Sequence, residues 1–249
     1  MTEPATVTRL RLGWRVATAV EIREVTPTAR TIVFDVPGWP GHTAGQHVDV
    51  KLTAPDGYSA ERSYSIATPA DGDLDLVELT VQRLPDGEVS PYLVDELAVG
   101  DQVELRGPIG GWFTWRGTET MPVLLVAGGS GIVPIMAMVR QRARVTEPPP
   151  FTLLYSVRTP ADIYYDTELR SRPGLNVTVL FTRKAFGTNR PAGRIGPDDL
   201  AAARPPGMDA RTYICGPTSF VETVSVLLLA QGQNPGTIRT ERFGPSGGR

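Results

Sequence analysis

Apolar and polar residues alternate along the first half of the chain. In 31–36 and 74–79 the two kinds largely take turns, a two-residue period typical of strands with one buried face. Short β-branched runs broken by Gly and Pro continue this pattern at 16–23, 30–36, 46–52 and 75–82. We therefore predict antiparallel strands that close into a small Greek-key β-barrel, with one helix at about 91–96.

The pattern changes after residue 117. Residues 122–127 form a continuous apolar run, which is typical of strands buried on both faces of a parallel sheet. Strand-like and helix-like segments then alternate, at 151–156, 161–170, 176–182, 198–203, 212–215, 217–230 and 238–243. This order predicts a doubly wound α/β domain. The polar stretch 116–120 divides the chain into two domains, a barrel at 1–116 and an α/β domain at 117–249.

The composition limits which partners and cofactors we expect for this chain. A formal charge of −2 over 249 residues provides no general attraction to nucleic acid or to an anionic membrane. One cysteine, Cys215, excludes internal disulfides and cannot supply the four thiolates of an iron–sulfur cluster, so we expect an organic redox cofactor and no metal. The longest apolar stretch, 224–230, is too short to span a bilayer, and no signal-peptide core is present. We expect a cytoplasmic protein without membrane insertion.

A glycine-rich turn, 128–134, lies between the first buried strand and a helix through 136–140. Glycines there let the backbone approach a pyrophosphate, whose charge the helix N-terminus stabilises. A tight strand-to-helix connection needs glycine for steric reasons in any α/β protein, so the turn alone does not decide between the two interpretations.

A second group of residues stands in the barrel half. Arg62, Ser63, Tyr64 and Ser65 combine a cation for phosphate, a flat aromatic ring and hydroxyl groups, which are the contacts a flavin nucleotide needs. An edge strand with an exposed arginine and a packed tyrosine is the alternative. Downstream, 79–83 leads into 87–93, where a turn before a short helix offers free N–H groups to an anion.

Together these segments resemble the ferredoxin–NADP reductase superfamily, in its bacterial branch of ferredoxin and oxygenase reductases, from about 15 to 245. The resemblance implies that Arg62 contacts the flavin phosphates, that Tyr64 packs on the isoalloxazine ring and that Ser65 hydrogen-bonds near N5. Segment 107–113 resembles the one that closes the family's barrel. The implied flavin contacts are Arg62, Ser63, Tyr64, Ser65, Thr80, Val81, Arg83, Gly87, Val89 and Ser90.

The resemblance extends to the second half. Segment 128–134 matches the family's pyrophosphate loop, and Cys215-Gly216-Pro217 matches its later Cys-Gly-Pro motif, although a lone cysteine is more often a small buried hydrophobe. The implied coenzyme contacts are Gly129, Ser130, Gly131, Ser156, Arg158, Arg183, Cys215, Gly216, Pro217 and Phe243. The implied catalytic set is Ser65, Cys215, Glu241 and Phe243. Phe243 would shield the flavin until nicotinamide displaces it, and Glu241 would help to position and charge-balance the nicotinamide.

The resemblance implies FAD together with NADPH or NADH. FAD is favoured over FMN because the family branch with this loop usually needs a diphosphate to fill both Arg62 and the loop at Ser90, although some oxygenase reductases use FMN. Ser156, Arg158, Arg183 and Lys184 favour NADPH, although NADH-using relatives can also carry an arginine there. For His42 and His47 we expect surface or edge packing.

The sequence thus predicts an enzyme that passes a hydride from NAD(P)H to bound FAD, and then electrons to a separate ferredoxin, oxygenase or other metalloprotein. Two alternatives stay open: an NAD(P)H:flavin reductase that releases reduced flavin, and a non-catalytic flavin-binding adaptor subunit. A cationic rim could receive an acidic partner, although scattered arginines are usually solvated. The rim consists of Arg62, Arg83, Arg106 and Arg116.

Overall fold

The computed structural model describes residues 12–69, 75–184, 190–204 and 209–244. Its strands are β1 (Arg15–Thr26), β2 (Ala29–Asp35), β3 (His47–Thr53), β4 (Ser59–Ser65), β5 (Leu76–Gln82), β6 (Gln102–Ile109), β7 (Val123–Gly128), β8 (Phe151–Val157), β9 (Leu175–Phe181), β10 (Arg211–Pro217) and β11 (Ile238–Phe243). Its α-helices are α1 (Ile132–Arg142), α2 (Asp166–Ser171), α3 (Pro197–Ala203) and α4 (Thr218–Ala230). No helix of this described part is long and apolar enough to cross a membrane.

The first six strands form one antiparallel sheet in the order β4-β3-β6-β1-β2-β5. The chain just after β4 returns to β5, where Ile66 bridges Leu79 and the Ala67 N–H donates to the carbonyl of Glu78 at 2.8 Å. These two contacts close the sheet into a barrel. Alternate residues such as Phe34 and Leu105 are fully buried inside it, so the predicted antiparallel barrel is confirmed.

Two barrel strands, β4 and β6, were not among the predicted segments. The predicted helix at 91–96 is a five-residue π-helical turn, Tyr92–Glu96, in which the Leu97 N–H donates to the Tyr92 carbonyl at 2.8 Å. A wider turn of this kind keeps Leu93 buried against the barrel.

The second sheet is parallel, with the order β11-β10-β7-β8-β9. Every residue of the central strand β7 is buried, as the continuous apolar run predicted. Helices α1 and α4 pack against this sheet, which confirms the α/β class.

The single helix predicted at 161–170 is wrong in extent. A short 3₁₀ turn, Pro160–Asp162, comes first, and α2 begins only at Asp166. Between them the Tyr164 N–H donates to the hydroxyl of Tyr155 at 3.3 Å, and Tyr165 takes a left-handed φ of 58°. This tertiary contact outweighs the helical tendency of the segment.

Buried charges join the two domains. Arg140 on α1 contacts the carboxylates of Glu78 on β5 and Glu168 on α2, and it donates to the carbonyl of Ala67 at 3.0 Å. Each carboxylate keeps a second arginine, Arg23 for Glu78 and Arg172 for Glu168. Arg140 thus links Glu78 of the barrel to Glu168 of the α/β domain and holds the two domains together.

Candidate active site at the domain junction

The barrel is open beside the predicted flavin contacts. If the antiparallel register at Ile66 and Leu79 continued, Ser65 would face Thr80 and Tyr64 would face Val81. No such pairs occur among the described residues, because β4 pairs only with β3 and β5 only with β2 and this bridge. The backbone edge of β5 beyond this bridge therefore has no strand partner on the β4 side among the described residues, and such an edge is a place where a ligand could bind.

Several side chains next to this opening are already hydrogen-bonded within the protein or buried in the barrel core. The Thr80 hydroxyl is bonded to Thr31 at 2.7 Å and accepts from Tyr165 at 2.5 Å, while Val81 is fully buried in the barrel core. The Ser63 hydroxyl donates to Asp49. The side chains of Thr80 and Val81 are thus not available to a ligand, and Ser63 could bind one only after releasing Asp49.

Tyr64 packs against the barrel core, and burial raises the pKa of its phenol. The ring is therefore neutral and apolar, as a stacking surface for a flavin requires. Ser65 lies next to it, paired across the sheet with His47 on β3.

Arg62 and Arg83 form ion pairs near the surface. Arg62 lies 2.9 Å from Glu88, with side chains 54% and 47% exposed, and Glu88 also accepts from the Tyr58 hydroxyl. Arg83 pairs with Asp95. Exposed pairs of this kind contribute little to stability, so a phosphate could replace either carboxylate at small cost.

The loop after β5 is held in place by its own predicted ligand residues. Ser90 is buried, and its hydroxyl oxygen accepts from the Leu84 N–H at 3.0 Å. A Cβ on Gly87 would lie 2.9 Å from that oxygen, and Val89 is fully buried. The Ser90 hydroxyl keeps its proton to donate, so it can bind an anion while it holds the loop.

The two glycine motifs of the α/β domain are pressed together. A Cβ on Gly131 would lie 2.2 Å from the carbonyl oxygen of Cys215, and one on Gly216 would lie 2.7 Å from the ring of Phe220. Gly129 differs, because its φ is +55° and nothing lies within 4 Å of its Cβ position. Gly131 and Gly216 thus serve close packing, while Gly129 and Ser130 form the open part of the turn.

Cys215 and Glu241 are register partners on β10 and β11, and Pro217 pairs in the same way with Phe243. The Cys215 thiol is 1% exposed, and burial, with the charge of Glu241, raises its pKa well above the ordinary value. It stays protonated and is suited to packing against a ligand, not to nucleophilic attack. Phe243, at the end of β11, is 37% exposed.

Glu241 reaches across the domain junction. One carboxylate oxygen, Oε1, lies 3.6 Å from Nδ1 of His47, next to Ser65 on the barrel. The other, Oε2, is buried and has no hydrogen-bond partner among the residues that the structure describes. A buried carboxylate oxygen without a donor is costly, so a donor group of a bound ligand fits here. Sequence reasoning missed the contact of His47, which only the β3–β4 register and the domain packing reveal.

Cations gather at the carboxyl ends of β8 and β9. The N–H groups of Arg183 and Lys184 donate to the carbonyl of Arg158 at 3.0 and 3.3 Å, and all three side chains are exposed. Ser156 is buried at the end of β8. Asp162 is bonded to the Thr159 N–H and hydroxyl at the start of its 3₁₀ turn. The cations are therefore the charged groups available at this edge.

The barrel with an open strand edge, joined to a parallel sheet with two glycine motifs, defines the class: an oxidoreductase with separate flavin- and nicotinamide-binding domains. Family comparisons agree. Residues 17–114 match an oxidoreductase FAD-binding domain and residues 125–225 match an oxidoreductase NAD-binding domain. The chain belongs to the ferredoxin–NADP reductase superfamily.

Similar proteins come from several bacteria. The chain is 33% identical to a Ralstonia ferredoxin–NAD(P)+ reductase component of naphthalene dioxygenase and salicylate hydroxylase systems, over 82% of this chain and 61% of that protein. It is 30% identical to the reductase subunit of an Amycolatopsis aromatic O-demethylase, over 92% and 69%. The FAD/NAD-binding domain of nitric oxide dioxygenase from Vibrio cholerae superposes with a TM-score of 0.82 at 25% identity, over 93% and 99%. The chain thus spans less than two thirds of the Ralstonia protein.

Proposed function

We propose that this chain is an NAD(P)H-dependent flavoprotein reductase that delivers electrons to a separate acceptor, such as a ferredoxin, an oxygenase or another metalloprotein. The observation that carries the proposal is the buried Oε2 of Glu241, which has no hydrogen-bond partner among the described residues. Glu241 is the register partner of Cys215, and its other oxygen, Oε1, lies 3.6 Å from Nδ1 of His47 across the domain junction. FAD bound at this junction would supply the redox chemistry, by taking a hydride from the coenzyme and releasing electrons singly.

The barrel residues would hold the FAD. Arg62 would exchange Glu88 for a phosphate, and Arg83 would add a second cation. Tyr64 would support the ring system and Ser65 would hydrogen-bond near N5. The open edge of β5 and the loop around Ser90 would provide backbone and hydroxyl donors, which bind a diphosphate without a large rearrangement.

The α/β domain would bind the coenzyme. The open turn at Gly129 and Ser130 would receive the pyrophosphate at the start of α1. Cys215, Gly216 and Pro217 would form the floor beneath the nicotinamide, and Phe243 would cover the flavin until nicotinamide arrives. Ser156, Arg158, Arg183 and Lys184 would bind a 2′-phosphate, which favours NADPH over NADH.

Glu241 would place the nicotinamide by accepting a hydrogen bond from its carboxamide at Oε2. Alignment of two reactants inside a water-poor cleft is the protein's main contribution to hydride transfer. The names of the relatives describe reductase components and subunits of oxygenase systems, which supports delivery of the electrons to a partner.

Glu241→Gln tests this role by stopped-flow measurement of flavin reduction. We expect a fall of about 10- to 100-fold in the reduction rate at unchanged FAD content, because a positioning contact is altered. Glu104→Gln is the matched control, since Glu104 is a partly exposed carboxylate paired with Lys51 at the other end of β3. Wild-type rate and coenzyme affinity in Glu241→Gln would contradict the proposed role.

A further inference from the structure

The cationic rim predicted from the sequence is largely neutralised by ion pairs. Arg62 pairs with Glu88, Arg83 with Asp95, and Arg106 with Asp49 at 2.7 Å. Cations already paired with carboxylates attract an acidic partner weakly. An electron acceptor is therefore better received elsewhere on the surface.

A second group of residues, the exposed Trp112 and the half-buried Arg211 and Arg239, lies beside the site near the start of β10 and β11. Trp112 is 62% exposed, and the guanidinium of Arg239 stacks on its ring at 3.7 Å from the centroid. Its neighbour Phe113 is buried edge-on against Tyr213, with 5.4 Å between ring centroids. The loop is thus anchored by Phe113 while Trp112 is held outward by Arg239.

The charges of this patch lack carboxylate partners in the part of the chain that the structure describes. Arg211 lies close enough to Arg239 to lower the pKa of the latter, after the effect of burial. Neither arginine forms an ion pair with an acidic side chain in the described ranges; Arg239 donates only to the carbonyls of Gly236 and Ile238. The nearby Glu119 carboxylate accepts the backbone N–H groups of 116–118, which occupy its oxygens. Two like charges held together are relieved by an acidic partner.

The position of the patch separates it from the coenzyme. Dinucleotides bind at the carboxyl ends of parallel strands, where Gly129 and Arg158 lie. Arg211 begins β10, at the opposite end of the same sheet. Arg239 nevertheless precedes Glu241 by only two residues on β11, a separation of about 7 Å along a strand. The patch therefore borders the redox site without lying in the path of NAD(P)H.

We propose that Trp112, Arg211 and Arg239 form the docking surface for the electron-acceptor protein, and that this acceptor presents a carboxylate-rich face. The assignment rests on the proposed reductase function. Exposed tryptophan and arginine are the residues most enriched among those that dominate binding at protein interfaces. Their stacked arrangement is already ordered, which reduces the entropy lost on association.

The test uses two acceptors with NADPH or NADH as donor: an acidic plant-type [2Fe–2S] ferredoxin and a small neutral quinone. For Arg211→Glu and Arg239→Glu we expect the second-order rate constant for ferredoxin reduction to fall about tenfold at low ionic strength, with a weaker dependence on salt. Trp112→Ala should raise the KM for ferredoxin about tenfold. Quinone reduction should be unchanged in all three.

Arg170→Glu is the matched control, because it makes the same charge change at an exposed site on α2. Arg239→Gln removes the charge and retains a donor for the Gly236 carbonyl, so it gives the same result if Arg239→Glu fails to fold. Ferredoxin reduction at the unmodified rate and salt dependence in the patch variants would overturn the proposal, as would equal loss of quinone reduction. If the unmodified chain reduces the quinone but its reduction of ferredoxin does not depend on salt, the proposed docking surface is contradicted and the reductase function is not. Failure to reduce the quinone would instead contradict the reductase function on which it rests.

Discussion

Gly131→Ala should weaken coenzyme binding while it leaves the flavin in place. Its Cβ would lie 2.2 Å from the carbonyl oxygen of Cys215 and 2.8 Å from the N of Gly216, whereas ordinary contacts begin near 3.4 Å. Because these are backbone atoms, the glycine turn and the end of β10 must separate by about 1 Å. Such a displacement can cost up to about 100-fold in rate, and overpacking costs about 1–3 kcal/mol of stability.

The assay is the Kd of NAD(P)H together with the stopped-flow rate of flavin reduction, at measured FAD content. We expect the Kd to rise at least tenfold and the FAD content to stay unchanged, because the clash lies in the α/β domain. Gly193→Ala is the control, since nothing lies within 4 Å of its Cβ position and its φ is not in the left-handed region. Gly131→Ala with wild-type coenzyme affinity and reduction rate would refute the reasoning.

Three further predictions follow from the contacts between and beyond the domains. Arg140→Met should lower the free energy of unfolding, measured in denaturant, by about 2–3 kcal/mol, because it breaks two buried ion pairs while each carboxylate keeps its second arginine. Arg170→Ala, which breaks an exposed pair, should lower it by less than about 0.5 kcal/mol. Burial tends to raise the pKa of Glu168, but hydrogen bonds from its two arginines outweigh burial and hold the pKa below its usual 4.5. The stability that Glu168 contributes is therefore present above that pH and is lost on acidification. Glu168→Gln should make the free energy of unfolding depend less on pH in the acid range, and an unchanged pH dependence would contradict this. Replacing Arg158 and Arg183 by Gln should raise the KM for NADPH at least tenfold and leave that for NADH nearly unchanged, while equal effects on both would argue against a 2′-phosphate site.

Most of the fold could be predicted from local patterns in the sequence. Two-residue alternation identified the barrel, and the continuous apolar run at β7 identified the parallel sheet. Strand β4 escaped this reasoning because its seven residues, SAERSYS, are mostly polar and lack a regularly buried face. A strand at the open edge of the barrel needs no apolar face, and it is also the strand that carries Arg62 and Tyr64.

Side-chain contacts over long sequence separations could not be predicted. Thr80 is among the implied flavin contacts, yet its hydroxyl is bonded to Tyr165 of the other domain. The pairing of His47 with Glu241 likewise depends on how the domains meet. For Gly131 the steric and the functional explanations of the glycine-rich turn both apply. The residue is a glycine because Cys215 lies against it, and that contact brings the two glycine motifs together.

The most direct test of the reductase proposal is an anaerobic visible spectrum of the purified protein supplied with FAD, recorded during titration with NADPH and, separately, with NADH. The proposal predicts a protein-bound flavin band that bleaches with both coenzymes, at lower concentration with NADPH. A protein that retains no flavin, or a bound flavin that neither coenzyme bleaches, would contradict it.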